Sequence, residues 1–291
     1  MTLNEFATLW LETYAMVHCK RWKGFKREYE LYLQPFIGQK ELDAIKRVDI
    51  IALQSKLLKE RGKSAANTAV TLLSMFYNKA IDWEIFEGKS PASRIRKFKL
   101  KPRERFLLPE ELPRFLDSVM QLKHATTRDF FLMLLFTGQR RRNVAEMSWQ
   151  DIDLTREVWR IPDTKNGTSH YVPLVPEAIE ILKRSKGKHA CWVFPREDGK
   201  GPLWCRSTAW KKVIDRAGIE GLCMHDLRRS IASWQAINGV NMPIIGKMLN
   251  HKSLASTQIY AKLHLDPVRM AMQNAVQSML SQERQPSSSN P

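Results

Sequence analysis

Four short segments carry side chains that could act together on a phosphate group. In chain order they are TGQRRRN at 137–143, TKNG at 164–167, HDLRR at 225–229 and LNHKSLASTQIYAKL at 249–263. Each segment alone is ordinary, because an Arg after a Gly turn or a Tyr on an amphipathic helix is usually a surface or core residue. Together they supply two guanidinium groups, an amine, two imidazoles and a phenol, which belong to Arg140, Arg228, Lys165, His225, His251 and Tyr260.

This set of groups fits the reversible cleavage of a DNA strand without water, metal or ATP. A phenol can reach a backbone phosphate and stay attached to it covalently, although its pKa of ~10 means that it needs help to lose its proton. Two guanidinium groups can hold the non-bridging oxygens and remain charged at any working pH. A hairpin Lys can protonate the departing 5′ oxygen, and the two imidazoles can bind the phosphate or move the phenolic proton.

The charge of the chain agrees with an anionic partner. It has 291 residues, with 47 Lys and Arg against 30 Asp and Glu, for a formal net charge of +17. Such an excess repels itself unless a nucleic acid or another anion relieves it. The longest apolar run, at 130–136, is shorter than the ~20 residues that a membrane span needs, and the N-terminus lacks a signal-peptide pattern. The four cysteines form no C-x-x-C pair, so we expect a cytoplasmic protein with no cofactor and no metal.

Much of the positive charge lies in one segment. Residues 93–105 carry seven basic residues and one acidic residue, and they include Pro102. Blocks of like charge resist folding, so this segment is predicted to be an extended linker. It could simply be solvated, or it could lie along DNA phosphates and displace counterions. The candidate DNA-binding residues are Arg94, Arg96, Lys97, Lys99, Lys101 and Arg103.

Residues 1–92 are predicted to form a small helical domain. Apolar residues recur three and four apart at Leu3, Phe6, Trp10, Tyr14 and Val17, which indicates one apolar helical face. Thr2 and Glu5 fit a capping box. Asp49 is predicted to cap a second helix that ends at Gly62, and a third helix should run from about Ser64 to Trp83.

Residues 106–280 are predicted to form a second, mixed α/β domain. A helix near 109–120 and the apolar stretch at 130–136 are followed by a β-hairpin of strands 158–161 and 171–175, with Asn166-Gly167 in its loop. Helical patterns resume at Cys205. The fold class is therefore mainly α with a small β-hairpin or sheet, in two domains, and the polar tail 281–291 should be disordered.

At these motifs the chain resembles the tyrosine recombinases of the phage-integrase type. That family combines an Arg after T-G-x, a hairpin Lys, H-x-x-R, a second His or Trp, and a Tyr about nine residues later, and all six positions match here. The segment NTAVTLLSMFYNKAIDWEIFEGKSPASRI resembles the core-binding domain. The resemblance implies that Arg140 and Arg228 bind the scissile phosphate and that Lys165 is the general acid. It further implies that the two His assist proton transfer and that Tyr260 forms a 3′-phosphotyrosyl link.

The resemblance also implies partners. The two domains would close around double-stranded DNA as a clamp, and four copies would act on two specific sites through a Holliday junction, with DNA-bending proteins as accessory factors. An apolar stripe after Asp266, formed by Val268, Met272, Val276, Met279 and Leu280, resembles the helix that docks into a neighbouring protomer. Residues 266–280 could equally pack against their own domain. The role expected is integration or excision of a mobile element in a bacterial or phage-infected cell, close to the nucleoid.

Three departures from the family accompany this match. Asn143 stands where many members have Glu, so an acidic group near the site is missing, and Asn250 replaces the Gly that commonly precedes the second His. The chain also has no residues for the additional arm-binding domain of some integrases, so we expect a simpler subgroup or a shortened element.

Two other functions would use the same scaffold. One is a non-catalytic DNA-binding protein, which would bind DNA and form no covalent adduct. The other is a type IB topoisomerase, which shares the chemistry but relaxes DNA without a partner site. The intact set of six residues disfavours the first, and the core-binding half with the terminal helix disfavours the second.

Overall fold

The computed structural model describes residues 1–162, 169–203, 207–253, 256–263 and 265–282. Lys165 and the predicted Asn166-Gly167 turn lie outside the described residues, as do Cys205 and positions 283–291 of the predicted tail. The chain divides into two compact units, Met1–Arg103 and Glu104–Pro291. No helix in the described part is both long enough and apolar enough to cross a membrane.

The first unit is helical. Its elements are α1 (Leu3–Trp10), a π-helical turn (Leu11–Ala15), α2 (Met16–His18), α3 (Trp22–Tyr32), α4 (Gln34–Ile37), a 3₁₀ turn (Leu42–Ala44) and α5 (Arg47–Asp82). The core is rich in aromatic rings, with Trp10 and Phe6 both in contact distance of Phe76. The capping box of Thr2 and Glu5 is present, with the Glu5 amide donating to Thr2 Oγ1 at 3.2 Å.

Two details of the first unit differ from the sequence pattern. Val17 was expected on the apolar face but is 70% exposed. The π-helical turn before it takes more residues per turn than an α-helix, so the 3.6-residue periodicity no longer places Val17 on that face. Asp49 lies in the first turn of α5 rather than before it, where its carboxylate accepts from the Lys46 amide at 2.8 Å. Gly62 does break the long helix, with a φ of 82°.

The predicted linker has no helix or strand, yet it is not free along its length. Asn67 exchanges two hydrogen bonds of 2.8 Å with the backbone of Phe98, and Gln54 donates to the Arg96 carbonyl at 3.1 Å. The side chains of the six candidate DNA-binding residues are exposed: Arg94, Arg96, Lys97, Lys99, Lys101 and Arg103. The backbone is therefore held against the first unit while the basic groups face solvent.

The second unit is mainly helical around a small sheet. Its elements are α6 (Leu112–Met120), α7 (Ala125–Thr137), α8 (Arg141–Ala145), a 3₁₀ turn (Trp149–Asp151), β1 (Ile152–Asp153), β2 (Val158–Ile161), β3 (His170–Pro173), α9 (Pro176–Ser185), α10 (Ser207–Ala217), α11 (Asp226–Ile237), α12 (Met242–Met248), a 3₁₀ helix (Gln258–Leu263) and α13 (Leu265–Gln282). The predicted fold class is confirmed. Helix α13 extends two residues into the segment predicted to be disordered.

The hairpin positions β3 beside the core. The sheet is antiparallel in the order β1-β2-β3, and Trp159 pairs with Val172 while Ile161 pairs with His170. Residues alternate between faces along each strand, so Trp159 and Val172 are buried whereas Tyr171 is 60% exposed. Helix α7 fills the centre of this unit, with Phe130 and Phe131 fully buried.

Helix α7 ends at a glycine that no other residue could replace without strain. Gly138 has a φ of +61°, the left-handed conformation common just after a helix. A Cβ at this position would lie 2.6 Å from Ile231 Cγ2 in α11. The glycine thus allows α7 and α11 to approach closely, two residues before Arg140.

Replacing Gly138 by Ala should therefore destabilise the second unit by about 2–4 kcal/mol, as backbone strain and overpacking add. Urea denaturation would measure the loss. The matched control is Gly187→Ala, where φ is +85° but nothing lies within 4 Å of the added Cβ. It should cost about 1 kcal/mol from strain alone. Equal losses at the two positions would contradict the close approach of α7 and α11.

Candidate functional site

The turn after α7 directs Arg140 into the interior. Arg140 immediately precedes α8, and its Nη1 is buried without a hydrogen-bond partner among the described atoms. Its neighbours Arg141 and Arg142 are exposed, and Arg142 forms a salt bridge with Glu146 at 2.8 Å. Of this run of three arginines, Arg140 is therefore the one available to a ligand inside the unit.

A second guanidinium group lies close to the first and is almost fully buried. Arg228, in the first turn of α11, is 5% exposed. Its Nη1 donates to the Gly138 carbonyl at 2.8 Å and its Nη2 donates to the Leu249 carbonyl. Among the described residues, neither Arg140 nor Arg228 forms a salt bridge with a carboxylate. Burial, with repulsion from Arg140, lowers the pKa of Arg228 to about 10.

His225 and a buried carboxylate precede Arg228 on the same helix. His225 lies directly before α11, and burial, followed by the nearby Arg229, lowers the pKa of its imidazole. Asp226 is fully buried, accepts from the Cys223 amide at 2.8 Å and pairs with Arg229. Sequence analysis missed Asp226, although an acidic residue in the first turn of a helix is a recognisable signal. It provides a buried carboxylate beside His225.

The end of α12 sets the position of His251. The His251 amide donates to the Gly246 carbonyl at 2.9 Å and the Asn250 amide to that of Lys247 at 3.0 Å, which is the Schellman pattern. Asn250 has a φ of 52°, and Asn is the residue that tolerates this left-handed position best after Gly. The departure from the family pattern at 250 therefore preserves the turn.

A threonine that the sequence analysis did not identify orients His251. Thr257 is fully buried and its Oγ1 lies 2.9 Å from His251 Nδ1. This approach depends on Gly246, because a Cβ there would lie 3.0 Å from Thr257 Oγ1. With Nδ1 engaged, Nε2 is the nitrogen left to face a ligand. Burial, with Arg228 and Arg140, lowers the pKa of His251 to about 4, so the ring is neutral at pH 7.

Tyr260 lies in the 3₁₀ helix against α11 and is 5% exposed. It packs in an apolar cluster whose buried members include Ala232, Ile245 and Leu249. Burial raises the pKa of its phenol, whereas the charges of Arg228 and Arg229 act in the opposite direction. The phenol is therefore protonated in the free protein at neutral pH and needs an acceptor for its proton when it reacts.

The structure brings five of the six predicted catalytic residues into one site: Arg140, His225, Arg228, His251 and Tyr260. The sixth, Lys165, is outside the described residues. The site also contains a residue that was not predicted, His170, whose pKa is lowered by burial, by Arg228 and by Arg140. Among the described residues, no group of His, Cys, Asp or Glu side chains is placed to hold a metal ion.

The family model and similar curated proteins all point to integrases and tyrosine recombinases. The model of the phage integrase family matches residues 105–266. The integrase of Salmonella phage P22 is 30% identical, over 92% of this chain and 77% of that protein. The tyrosine recombinase XerA of Thermococcus onnurineus is 29% identical, over 86% of this chain and 88% of its own.

Solved structures share the fold. An integrase of the transposon Tn1549, in complex with transposon right-end DNA, matches with a TM-score of 0.74 at 18% identity, covering 95% of this chain and 100% of that one. Lambda integrase as a dimer bound to a core site matches with a TM-score of 0.71 at 19% identity, covering 87% of this chain and 96% of that one. Lambda integrase has also been solved as a tetramer bound to a Holliday junction. That structure matches with a TM-score of 0.69 at 18% identity, covering 87% of this chain and 78% of that one.

The lowered pKa values predict how stability depends on pH. In an unfolded chain the imidazoles titrate near pH 6.5, whereas in the folded protein His170, His225 and His251 bind protons only at lower pH. The unfolded state therefore takes up protons first as the pH falls. The stability that neutral rings contribute is present above about pH 6.5 and is lost progressively toward pH 4.

We therefore expect the melting temperature of the DNA-free protein to fall between pH 7 and pH 5, and His251→Asn to reduce that fall. Scanning calorimetry at pH 7, 6 and 5 would measure both. The control is His124→Asn, which removes a 71% exposed imidazole of the same unit, so an effect seen in both variants would not come from the buried site. An equally steep fall in His251→Asn would show that the His251 ring is not held neutral.

Proposed function

The chain belongs to the phage integrase family of tyrosine recombinases, and from that premise we propose that it cuts and rejoins DNA through a covalent 3′-phosphotyrosyl link at Tyr260. Its biological role would be to integrate or excise a mobile element. That activity would place it on the DNA of a bacterial or phage-infected cell.

The observation that carries this proposal is a pair of arginines that no described carboxylate neutralises. Burying a cation is unfavourable unless an anion or a set of hydrogen bonds compensates it. Arg228 has two carbonyl partners, and Arg140 Nη1 has none among the described atoms. A phosphodiester would supply the missing negative charge and two non-bridging oxygens. Because negative charge builds up on those oxygens in the pentavalent transition state, both arginines would stabilise that state more than the ground state.

The reaction can be assigned to groups in the site. The phenolic oxygen of Tyr260 attacks phosphorus and forms a P–O bond, while the bond from phosphorus to the 5′ oxygen breaks. The phenolic proton passes to a neutral imidazole, for which His251 and His225 are the candidates. The 5′ oxygen leaves with a proton, which the proposal assigns to Lys165 on the resemblance alone. Attack by the 5′ hydroxyl of a partner strand reverses these steps and releases Tyr260.

The first unit and the basic segment are proposed to bind the flanking duplex. The exposed side chains between Arg94 and Arg103 lie on a backbone that Asn67 and Gln54 hold in place. Fixed cations of this kind contact phosphates and position the protein without reading sequence. We propose the helical unit 1–92 as the core-binding domain, and DNA-bending accessory proteins remain part of the proposal on the resemblance alone.

Helix α13 is proposed to dock into a second copy of the chain. Five apolar side chains on it are each at least 51% exposed: Val268, Met272, Val276, Met279 and Leu280. A continuous apolar stripe of this kind is typical of an interaction surface. The tetramer reported for lambda integrase on a Holliday junction supports a second copy as the occupant.

Tyr260→Phe should abolish the covalent adduct with a nicked suicide substrate made from the junction DNA of the element, because the attacking oxygen is removed. Arg228→Lys should slow adduct formation by about 10²–10³-fold, since a bidentate contact is lost. SDS-resistant protein–DNA complexes would measure both. The matched control is Tyr171→Phe, a 60% exposed tyrosine that should leave the adduct unchanged.

Three outcomes would contradict the proposal. A full yield of adduct with Tyr260→Phe would exclude Tyr260 as the nucleophile. Specific binding by the wild type without any adduct would favour a non-catalytic DNA-binding protein. Catalytic relaxation of supercoiled DNA that has no partner site would favour a topoisomerase.

Met272→Glu should prevent assembly of two DNA-bound dimers while it leaves cleavage of a single site intact, because a charge on the apolar stripe cannot be buried in a neighbour. Sedimentation of protein–DNA complexes and a two-site recombination assay would measure this. Asn274→Glu adds the same charge on the opposite side of α13 and is the control. Normal assembly of Met272→Glu would show that the stripe is not the intersubunit contact.

A further inference from the structure

The last turn of α12 receives side-chain donors from three other parts of the second unit. The Met248 carbonyl accepts from Gln139 Nε2 at 2.8 Å and from His170 Nε2 at 3.1 Å. The next carbonyl, that of Leu249, accepts from Arg228. The final carbonyls of a helix have no partner within it, so such donors decide where the end of the helix lies.

This helix end is directly connected to the phosphate-binding groups. Gln139 precedes Arg140 in the chain, and Arg228 is one of the two proposed phosphate ligands. After Leu249, the left-handed residue Asn250 leads immediately to His251. A shift of the 248–249 backbone would therefore move both the support of Arg228 and the start of the segment that carries His251.

From these contacts we propose that His170 is a positioning residue for the catalytic site of the second unit. It donates from Nε2 to the Met248 carbonyl and so fixes the segment that supports Arg228 and carries His251. The inference rests on the proposed function for its effect on cleavage. His170 is assigned no contact with DNA and no proton transfer.

The type of side chain at 170 suits this role. A carbonyl only accepts hydrogen bonds, so Nε2 must carry the ring proton. Burial, together with the nearby Arg228 and Arg140, lowers the pKa of the His170 ring and so favours its neutral form. A neutral donor holds the carbonyl without a third positive charge beside two guanidinium groups. An Arg or Lys here would add that charge, and an apolar residue would leave the carbonyl with one donor fewer.

Three substitutions separate positioning from packing. His170→Phe keeps a ring and removes the donor. His170→Gln places an amide NH₂ near the position of Nε2, whereas the shorter Asn of His170→Asn does not reach it. Single-turnover cleavage should slow by about tenfold or more in the Phe and Asn variants, because small displacements of catalytic groups are costly. Cleavage by the Gln variant should stay within about threefold of the wild type.

DNA affinity and the urea midpoint should change little in the Gln and Asn variants, so the loss falls on the cleavage rate. If His170→Phe fails to fold, the Gln and Asn pair still decides the question. Cleavage by the Gln variant as slow as that by the Asn variant, or wild-type rates in both, would overturn the proposal.

A second measurement does not depend on activity. The ring protons of His251, followed by NMR in the DNA-free protein, should shift and titrate differently in His170→Asn and return to wild-type behaviour in His170→Gln. If the wild type formed no adduct, the proposed function would fail while this experiment still tested the position of His251. An unchanged His251 spectrum in His170→Asn would overturn the positioning role.

Discussion

The second unit is organised around two positive charges, those of Arg140 and Arg228, that no described carboxylate neutralises. Arg228 is almost completely buried, Arg140 lies beside it, and neither forms a salt bridge with a described carboxylate. Repulsion between them and the loss of hydration both oppose folding. Packing elsewhere offsets this cost, notably around α7, whose rings are fully buried. The arrangement is therefore complementary to an anion.

Local backbone conformations at the ends of the packed helices position the side chains of the site. Gly138 lets α7 meet α11 and starts the turn that presents Arg140. Asn250 ends α12 in a left-handed conformation and places His251 over Thr257. Each of the five described catalytic candidates thus lies at or near the end of a helix, where the chain changes direction and polar backbone groups need side-chain partners. The hydrogen bonds of Arg228 to Gly138 and Leu249 join two of these ends to each other.

Features of the fold that depend on local sequence patterns could be predicted from the sequence, whereas contacts between distant residues could not. The helix that begins at Leu3, the break at Gly62 and the pairing of the two hairpin strands were predicted from periodicity and helix-stop residues. The predicted Asn166-Gly167 turn lies outside the described residues. The prediction that Val17 lies on the apolar face was wrong because a π-helical turn changed the helical register, which a 3.6-residue pattern cannot reveal. Thr257 lies only six residues from His251, but no motif singles it out. Gln139 and His170 were not identified because their shared partner, the Met248 carbonyl, comes from a distant element; His170 and Met248 are 78 positions apart. No spacing rule brings such residues together, since their contact exists only after the core has packed.

Burial and the nearby positive charges together set the ionisation states in the site and constrain the order of events. In the free protein burial, assisted by the nearby guanidinium groups, lowers the pKa of His170, His225 and His251, and burial also raises the pKa of Tyr260. A bound phosphodiester would neutralise part of the positive charge and raise the proton affinity of the imidazoles. The rings would become better acceptors for the phenolic proton only once the phosphate is in place. A buried, protonated phenol beside weakly basic imidazoles is unreactive toward other electrophiles, so the two arginines would link nucleophile activation to DNA binding.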